Sequence, residues 1–206
     1  MGKLIGRWEG VAKGLAEKAI KEEKHLAELL HGILSKQDET RYTSFKALMS
    51  ISEEHPELLY PHWNRFTALI DCENAYSKYI ASYLIASLTA IDRDDRFEGI
   101  FDKYYSLLND KSVIPAAHVA ANSGRIARAK PDLEAKITDK LLGIDKTHRK
   151  PYHRELMKSY AIEAFSEYFE QAKDKKRIVE FVKKQLESKS PRTRRKAKEF
   201  LKRWVQ

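Results

Sequence analysis

A small residue recurs five times along this chain at the intervals typical of helical repeats. Ser44, Ala81, Ala117, Ala161 and Ala197 are separated by 37, 36, 44 and 36 residues. Around each of them, mostly apolar side chains stand four residues before and three, four and seven residues after. These offsets share one face of an α-helix, because a helical turn takes 3.6 residues. We therefore expect five helices that bury this face, with the small residue allowing a neighbouring helix to approach closely.

Each of these five helices is expected to follow a partner helix. Apolar residues recur with helical spacing near residues 26–35, 62–70, 94–108, 131–142 and 175–188, and no useful run of strand-like alternation exists. Seven residues before the small residue, Asn74, Asp110 and Ser190 have side chains that favour the N-cap position. The pattern predicts an all-α chain built from about five helix–turn–helix units.

The carboxyl-terminal unit carries a family signature. Ser190-Pro191 is followed by Thr193, by Arg194 and, three residues later, by Ala197. This order resembles the second helix of a HEAT repeat, and Asp110 to Val113 followed by Ala117 is similar. The resemblance implies a HEAT-like, armadillo-type α-solenoid, a right-handed α–α superhelix whose second helices line a concave face. It would occupy residues 24–206 as a single domain.

Residues 1–23 are expected to form an extra amino-terminal capping helix with a glycine stripe. Gly2, Gly6, Gly10 and Gly14 fall every four residues, on one helical face. Each interior glycine costs about 0.5–1 kcal/mol relative to alanine, so their repetition suggests close backbone packing on that face. A frayed terminal helix is the alternative.

Positive charge is concentrated at the carboxyl-terminal end. Residues 1–100 hold 13 lysines and arginines and 16 acids, whereas the last 34 residues hold 14 and four. This asymmetry suggests an acidic partner, and a well-solvated lysine-rich terminus is the alternative. The candidate residues for salt-dependent binding of nucleic acid or another polyanion are Lys176, Arg177, Lys184, Arg192, Arg195, Lys198, Lys202 and Arg203. Aromatic residues are scarce there, since the nearest, Trp204, fits the buried offset.

A second set of candidates comes from the offsets that lie away from the buried face. If the HEAT-like geometry holds, these positions form the floor of a concave groove. They include Tyr42, Phe45, Tyr79, Ser82, His118, Asn122, Ser159 and Ser166. Tyr42 and Phe45 could anchor a partner, because exposed aromatic residues contribute large contact areas. Alternatively, they cover the join with the amino-terminal helix.

The sequence shows no pattern for a metal or cofactor. His148 and His153 are five residues apart, which differs from the pair four apart that presents two imidazoles on one helical face. Cys72 is a single cysteine, so we expect no disulfide and a reducing, cytoplasmic setting. No apolar stretch is long enough for a membrane span, and we expect no membrane association.

These observations favour a non-enzymatic scaffold that presents a concave surface to a protein partner or a polyanion, although they leave enzymatic activity open. The alternative is a basic HEAT-like DNA-binding protein of the alkylated-DNA glycosylase type. A resemblance to the alkylated-DNA glycosylases implies an acidic residue and aromatic residues within the basic groove. The predicted groove positions contain no carboxylate, and Glu163 and Glu199, one offset away, are the nearest substitutes.

Overall fold

The computed structural model describes residues 2–205, with side chains from residue 6, and this part of the chain contains helices and turns but no β-strand. The predicted all-α class is confirmed. The longer helices, in chain order, are α1 (Gly2–Lys21), α2 (Glu23–Gly32), α3 (Asp38–Glu54), α4 (Pro56–Leu59), α5 (Trp63–Ala68), α6 (Ala75–Leu88), α7 (Arg96–Ser106), α8 (Val113–Ala129), α9 (Glu134–Leu142), α10 (Pro151–Tyr168), α11 (Lys175–Lys184) and α12 (Pro191–Trp204). Short 3-10 turns follow many of them.

The chain divides into two compact units, Met1–Arg96 and Phe97–Gln206. In the first unit α1 packs along α3 and α2, α2 packs against α3, and α3 packs against α6. Its interior holds fully buried side chains such as Leu48, Phe66 and Ile80. Each helix therefore buries its apolar stripe against a neighbour in sequence or the corresponding helix of the next pair.

The second unit repeats this arrangement with α8, α10 and α12 side by side, and α9 packs against α11. Tyr105 of α7 reaches α8, where its hydroxyl group donates to Ser123 Oγ at 3.1 Å. Phe165 and Phe200 are buried between the helices. None of the helices within residues 2–205 combines the length and apolar character that a membrane crossing requires.

All five of the recurring small residues are buried. Ser44 lies at the contact between α2 and α3, where a Cβ added to Gly32 would come within 2.0 Å of Ser44 Oγ. A larger side chain at this crossing would therefore separate the two helices. At Ser44 the small residue therefore stands at a close contact between two helices.

The register expected for α8 is wrong by two residues. The N-cap of α8 is Ser112, which accepts from the Ile114 N–H at 3.2 Å, and Asp110 instead accepts from the Ser112 N–H. Val119 stands seven residues after this cap, as Ala81 does after Asn74 and Ala197 after Ser190. Val119 is fully buried and Ala121 is half-buried, so Val119 occupies the position assigned to Ala117. The alanine-rich sequence Ala116-Ala117 obscured the register.

The glycine stripe of α1 does not make the close contact that its cost suggested. A Cβ at Gly6, Gly10 or Gly14 would meet nothing within 4 Å, and the surroundings of Gly2 lie outside the described side chains. The packed face of α1 instead carries Ala12, Ala16 and Ala19, all buried. Alanines bring α1 against α3, while Gly6, Gly10 and Gly14 lie on its open side.

Candidate functional site

Several residues expected on the groove floor are buried inside the first unit. Phe45 is 1% exposed and packs edge-on against Tyr79 and Tyr83 of α6, with ring centroids 5.1 and 5.9 Å away. Tyr42 is half-buried and packs against Trp8 of α1 at 5.4 Å. Neither ring is free to anchor a partner. The contact with Trp8 supports the alternative for Tyr42, that it covers the join with the amino-terminal helix.

Three polar residues of the same set are also buried. Ser82 and Ser159 donate their hydroxyl groups to backbone carbonyls of their own helices, those of Tyr79 and Leu156, each at 2.7 Å. Asn122 is 9% exposed. These side chains cannot line an open groove, because each second helix also packs against other helices on this face. Tyr79, His118 and Ser166 are half-buried.

The exposed face of the second helices lies one residue further along than the sequence predicted. Two positions after each small residue, counted from Val119 in α8, the side chains are half-buried or exposed. They are Lys46, Tyr83, Ala121, Glu163 and Glu199. One residue rotates a position by about 100° around the helix axis, which moves it from the packed side to the open side.

In the second unit this exposed face carries ion pairs that join neighbouring helices. Glu163 of α10 accepts from Arg192 at 3.4 Å and from Lys196 at 3.1 Å, both on α12. Lys196 also pairs with Glu199 at 3.1 Å. One turn further along α10, Glu167 pairs with Arg128 of α8 at 3.3 Å. The acids and bases of this face therefore largely neutralise one another.

Two aromatic groups lie within this network of ion pairs. The guanidinium of Arg192 lies 4.2 Å from the centre of the Tyr160 ring and also donates to its hydroxyl at 3.2 Å. The His118 ring is 6.0 Å from Tyr160. Burial, with a smaller contribution from the charge of Arg192, lowers the pKa of His118 to about 4. The imidazole is therefore neutral at neutral pH.

Burial also affects the carboxylate of Glu167. It raises the pKa of Glu167 above its usual value, although the positive charges of Arg128 and Arg125 partly oppose the shift. Glu163 and Glu199 were predicted only as substitutes near the groove, and neither Tyr160 nor Lys196 was predicted. Helical spacing would have identified Tyr160 and Lys196 if the residues of the exposed face had been known.

The eight cationic candidates fall into two groups. Three of them are held in ion pairs. Arg177 pairs with Asp139 at 2.8 Å, Arg192 with Glu163, and Arg195 with Glu199 at 3.6 Å. The guanidinium of Arg203 lies 4.5 Å from the ring centre of half-buried Trp204, which packs against Phe169. These contacts hold the arginines against the protein.

The lysines of the set differ from the arginines. Lys176 and Lys184 on α11 and Lys198 and Lys202 on α12 are exposed, and none of the four has an ion-pair partner among residues 6–205. On α12, Lys198 and Lys202 lie one turn apart on the face opposite buried Ala197 and Phe200. Their charge is therefore available to an external anion.

Within the described residues, no group of three or more His, Cys, Asp or Glu side chains is arranged to hold a metal ion. No family model matches the chain, and no curated protein is similar to it. The chain is similar to the crystal structure of an engineered protein from the Northeast Structural Genomics Consortium, with a TM-score of 0.52 and 17% identity. That match covers 94% of this chain and 88% of the other. At this identity the similarity concerns the fold alone.

Proposed function

We propose that the protein is a non-enzymatic binding module of the HEAT-like type whose last helix pair, α11 and α12, binds a polyanionic partner such as nucleic acid. The observation that supports this proposal is a set of four exposed lysines that have no acidic partner among residues 6–205. They are Lys176, Lys184, Lys198 and Lys202. Phosphates neutralised by these lysines would release counterions, which gives sequence-independent, salt-dependent binding.

A terminal helix in a repeat array needs a polar outer face for solubility, and this requirement alone could explain exposed charges on α12. Charged residues of either sign would make this face soluble, so solubility does not require an excess of cations. The exposed charged residues of α12 comprise four cations, Arg195, Lys198, Lys202 and Arg203, and one acid, Glu199. This imbalance favours an anionic partner over a merely solvated face.

The proposal is tested by titrating a labelled DNA duplex with the protein and measuring fluorescence anisotropy at several salt concentrations. We expect the logarithm of affinity to fall linearly with the logarithm of salt, with a slope of about −0.9 per phosphate contacted. The double variant Lys198→Glu/Lys202→Glu should weaken binding at least tenfold. Absence of binding at about 50 mM salt, or affinity that ignores salt, would overturn the proposal.

A matched control separates a local surface from a general effect of net charge. Lys36 and Lys136 are exposed lysines outside α11 and α12. The variant Lys36→Glu/Lys136→Glu changes net charge by the same amount and should bind nearly as well as the wild type. An equal loss in both variants would place binding elsewhere. Capture from native extract, with and without nuclease, distinguishes nucleic acid from the protein partner that the sequence also suggests.

One observation favours the glycosylase-type alternative. Glu163 and half-buried Tyr160 lie together on α10, beside the cations of α12, which is the combination of acid and aromatic residue that this class requires. Against it, Glu163 is already paired with Arg192 and Lys196. Incubation with methylated duplex DNA tests this candidate. Release of the alkylated base by the wild type, but not by Glu163→Gln, would establish it, whereas our proposal expects no release.

A further inference from the structure

A cleft of about 630 Å³ opens in the second unit, where the start of α10 meets the turn between α11 and α12. Pro151 and Tyr152 line it on the α10 side. Lys184 and Lys189 line it from the end of α11 and the turn. The sequence separates these two walls by about thirty residues, and the packing of α10 against α12 brings them together.

The charged side chains at the floor of the cleft are paired with one another. Lys158 is buried, and its Nζ lies 2.8 Å from Asp145 Oδ1 and 2.9 Å from Glu155 Oε1. Ser188 donates its hydroxyl to the other oxygen of Glu155. The Thr193 hydroxyl ties the Glu155 backbone carbonyl to α12 at 2.6 Å. These contacts connect the floor to α12 and pair its charged groups with one another.

The rim of the cleft carries side chains that are exposed to solvent. The Tyr152 side chain is 63% exposed, which is unusual for an aromatic residue, and its ring lies 4.0 Å from that of His153. Lys184 and Lys189 are exposed and have no ion-pair partner within the described chain. Glu187 is an exposed acid at the rim, and the side chain of Asp145, which pairs with Lys158, is also 59% exposed. One flat ring and two cations therefore face solvent around a single cavity.

We infer that this cleft receives an unpaired nucleotide, with the base stacked on Tyr152 and the phosphate held by Lys184 and Lys189. The inference rests on the proposed function and specifies its ligand. A simple anion would use the lysines and leave the ring exposed, whereas a base offers the ring a flat apolar partner. In duplex DNA each base face is covered by its neighbours, so the ring has no face on which to stack. The cleft therefore favours single strands over duplexes.

The test compares three ligands by fluorescence anisotropy and competition. They are a labelled oligothymidylate of about ten nucleotides, a duplex of the same length, and free uridine monophosphate as competitor. We expect the single strand to bind more tightly than the duplex. If the mononucleotide competes as effectively as the strand, the cleft takes free nucleotides, and weak competition assigns it to a strand. In either case, loss of the ring in Tyr152→Ala must weaken binding of that ligand.

Three variants test the individual contacts. Tyr152→Ala should weaken single-strand binding about tenfold and leave duplex binding unchanged, while Tyr152→Phe should retain binding because stacking needs the ring alone. Lys189→Ala should reduce the salt slope for the single strand by about 0.7. Leu34→Ala, at another exposed apolar residue, is the matched control and should bind as the wild type does. Far-ultraviolet circular dichroism verifies that each variant is folded.

The possible failures are distinguishable. If Tyr152→Ala binds the single strand as well as the wild type, or if duplex and single strand bind equally, the cleft is not the nucleotide site and the proposed polyanion surface still stands. If neither nucleic acid binds, both the inference and the proposed function are overturned.

Discussion

Gly124 of α8 lies against the backbone of Ala164 in α10 with no space for a side chain between them. A Cβ at Gly124 would stand 2.8 Å from the Ala164 carbonyl oxygen and 3.0 Å from its Cα. Backbone atoms of a packed helix cannot move aside as a flexible side chain can. We therefore expect Gly124→Ala to lower the free energy of unfolding by about 1–3 kcal/mol, measured by urea denaturation.

The same substitution in α1 should have the opposite effect. Gly10 has open space around its missing Cβ, so Gly10→Ala gains helix propensity without a clash. We expect it to raise the free energy of unfolding by up to about 1 kcal/mol, measured by the same urea denaturation. If both variants were stabilised, the close contact between α8 and α10 would be disproved.

The register of α8 can be tested by enlarging two alanines. Ala117 is 4% exposed, so Ala117→Leu should overpack the helix contacts and cost about 1–3 kcal/mol. Ala121 is half-buried on the open face, so Ala121→Leu should change stability by about 0.5 kcal/mol or less. The spacing counted from Ala117 predicted that both residues are buried. Equal losses in chemical denaturation would favour the register counted from Ala117 over the one counted from Val119.

Helical periodicity was sufficient to predict the all-α class, because burial of an apolar stripe dominates helix formation in folded proteins. Periodicity did not predict which residues lie on the exposed face of the second helices. Ser82 and Ser159 are polar but buried, since their hydroxyl groups bond to carbonyls of their own helices and need no water. Polarity at a helical offset is therefore a poor marker of exposure when a helix packs against neighbours on several sides.

The charge pairing of the candidate site depends on contacts that a single sequence does not reveal. Arg192 and Glu163 are 29 residues apart, and their pairing removes one arginine from the set predicted to bind a polyanion. Tyr152 lies in the first turn of α10, so it was not expected beside the basic turn at Lys189. Charge density predicted the basic region, and only the packing of α10 and α12 separates its paired residues from its free ones.

Lys158 provides a test of the buried charges in the cleft floor. Burial lowers the pKa of Lys158, but its hydrogen bonds with Asp145 and Glu155 outweigh that effect and raise it above the usual value. Lys158→Met keeps much of the apolar side chain and removes the charge. Because Glu155 would lose a charged hydrogen bond in a partly buried site, we expect a loss of about 1.5–3 kcal/mol in the free energy of unfolding.

An exposed ion pair provides the matched control for Lys158. Lys140 pairs with Asp102 at 2.9 Å, and the Asp102 side chain is 89% exposed. Solvent screens this pair, so Lys140→Met should cost no more than about 1 kcal/mol by the same urea measurement. A similar cost for both substitutions would mean that the interactions of Lys158 stabilise the protein no more than a surface pair does.

His118 predicts a pH dependence of stability. Its folded-state pKa of about 4 lies below the ordinary value of 6.5, first because of burial and then because of Arg192. As pH falls below 6.5, the unfolded chain takes up a proton at His118 and the folded chain does not, so the free energy of unfolding decreases until about pH 4. His118→Gln cannot titrate and should show a shallower decrease across this interval in urea denaturation. If the variant lost stability as steeply as the wild type, the decrease would come from other groups and the environment assigned to His118 would be wrong.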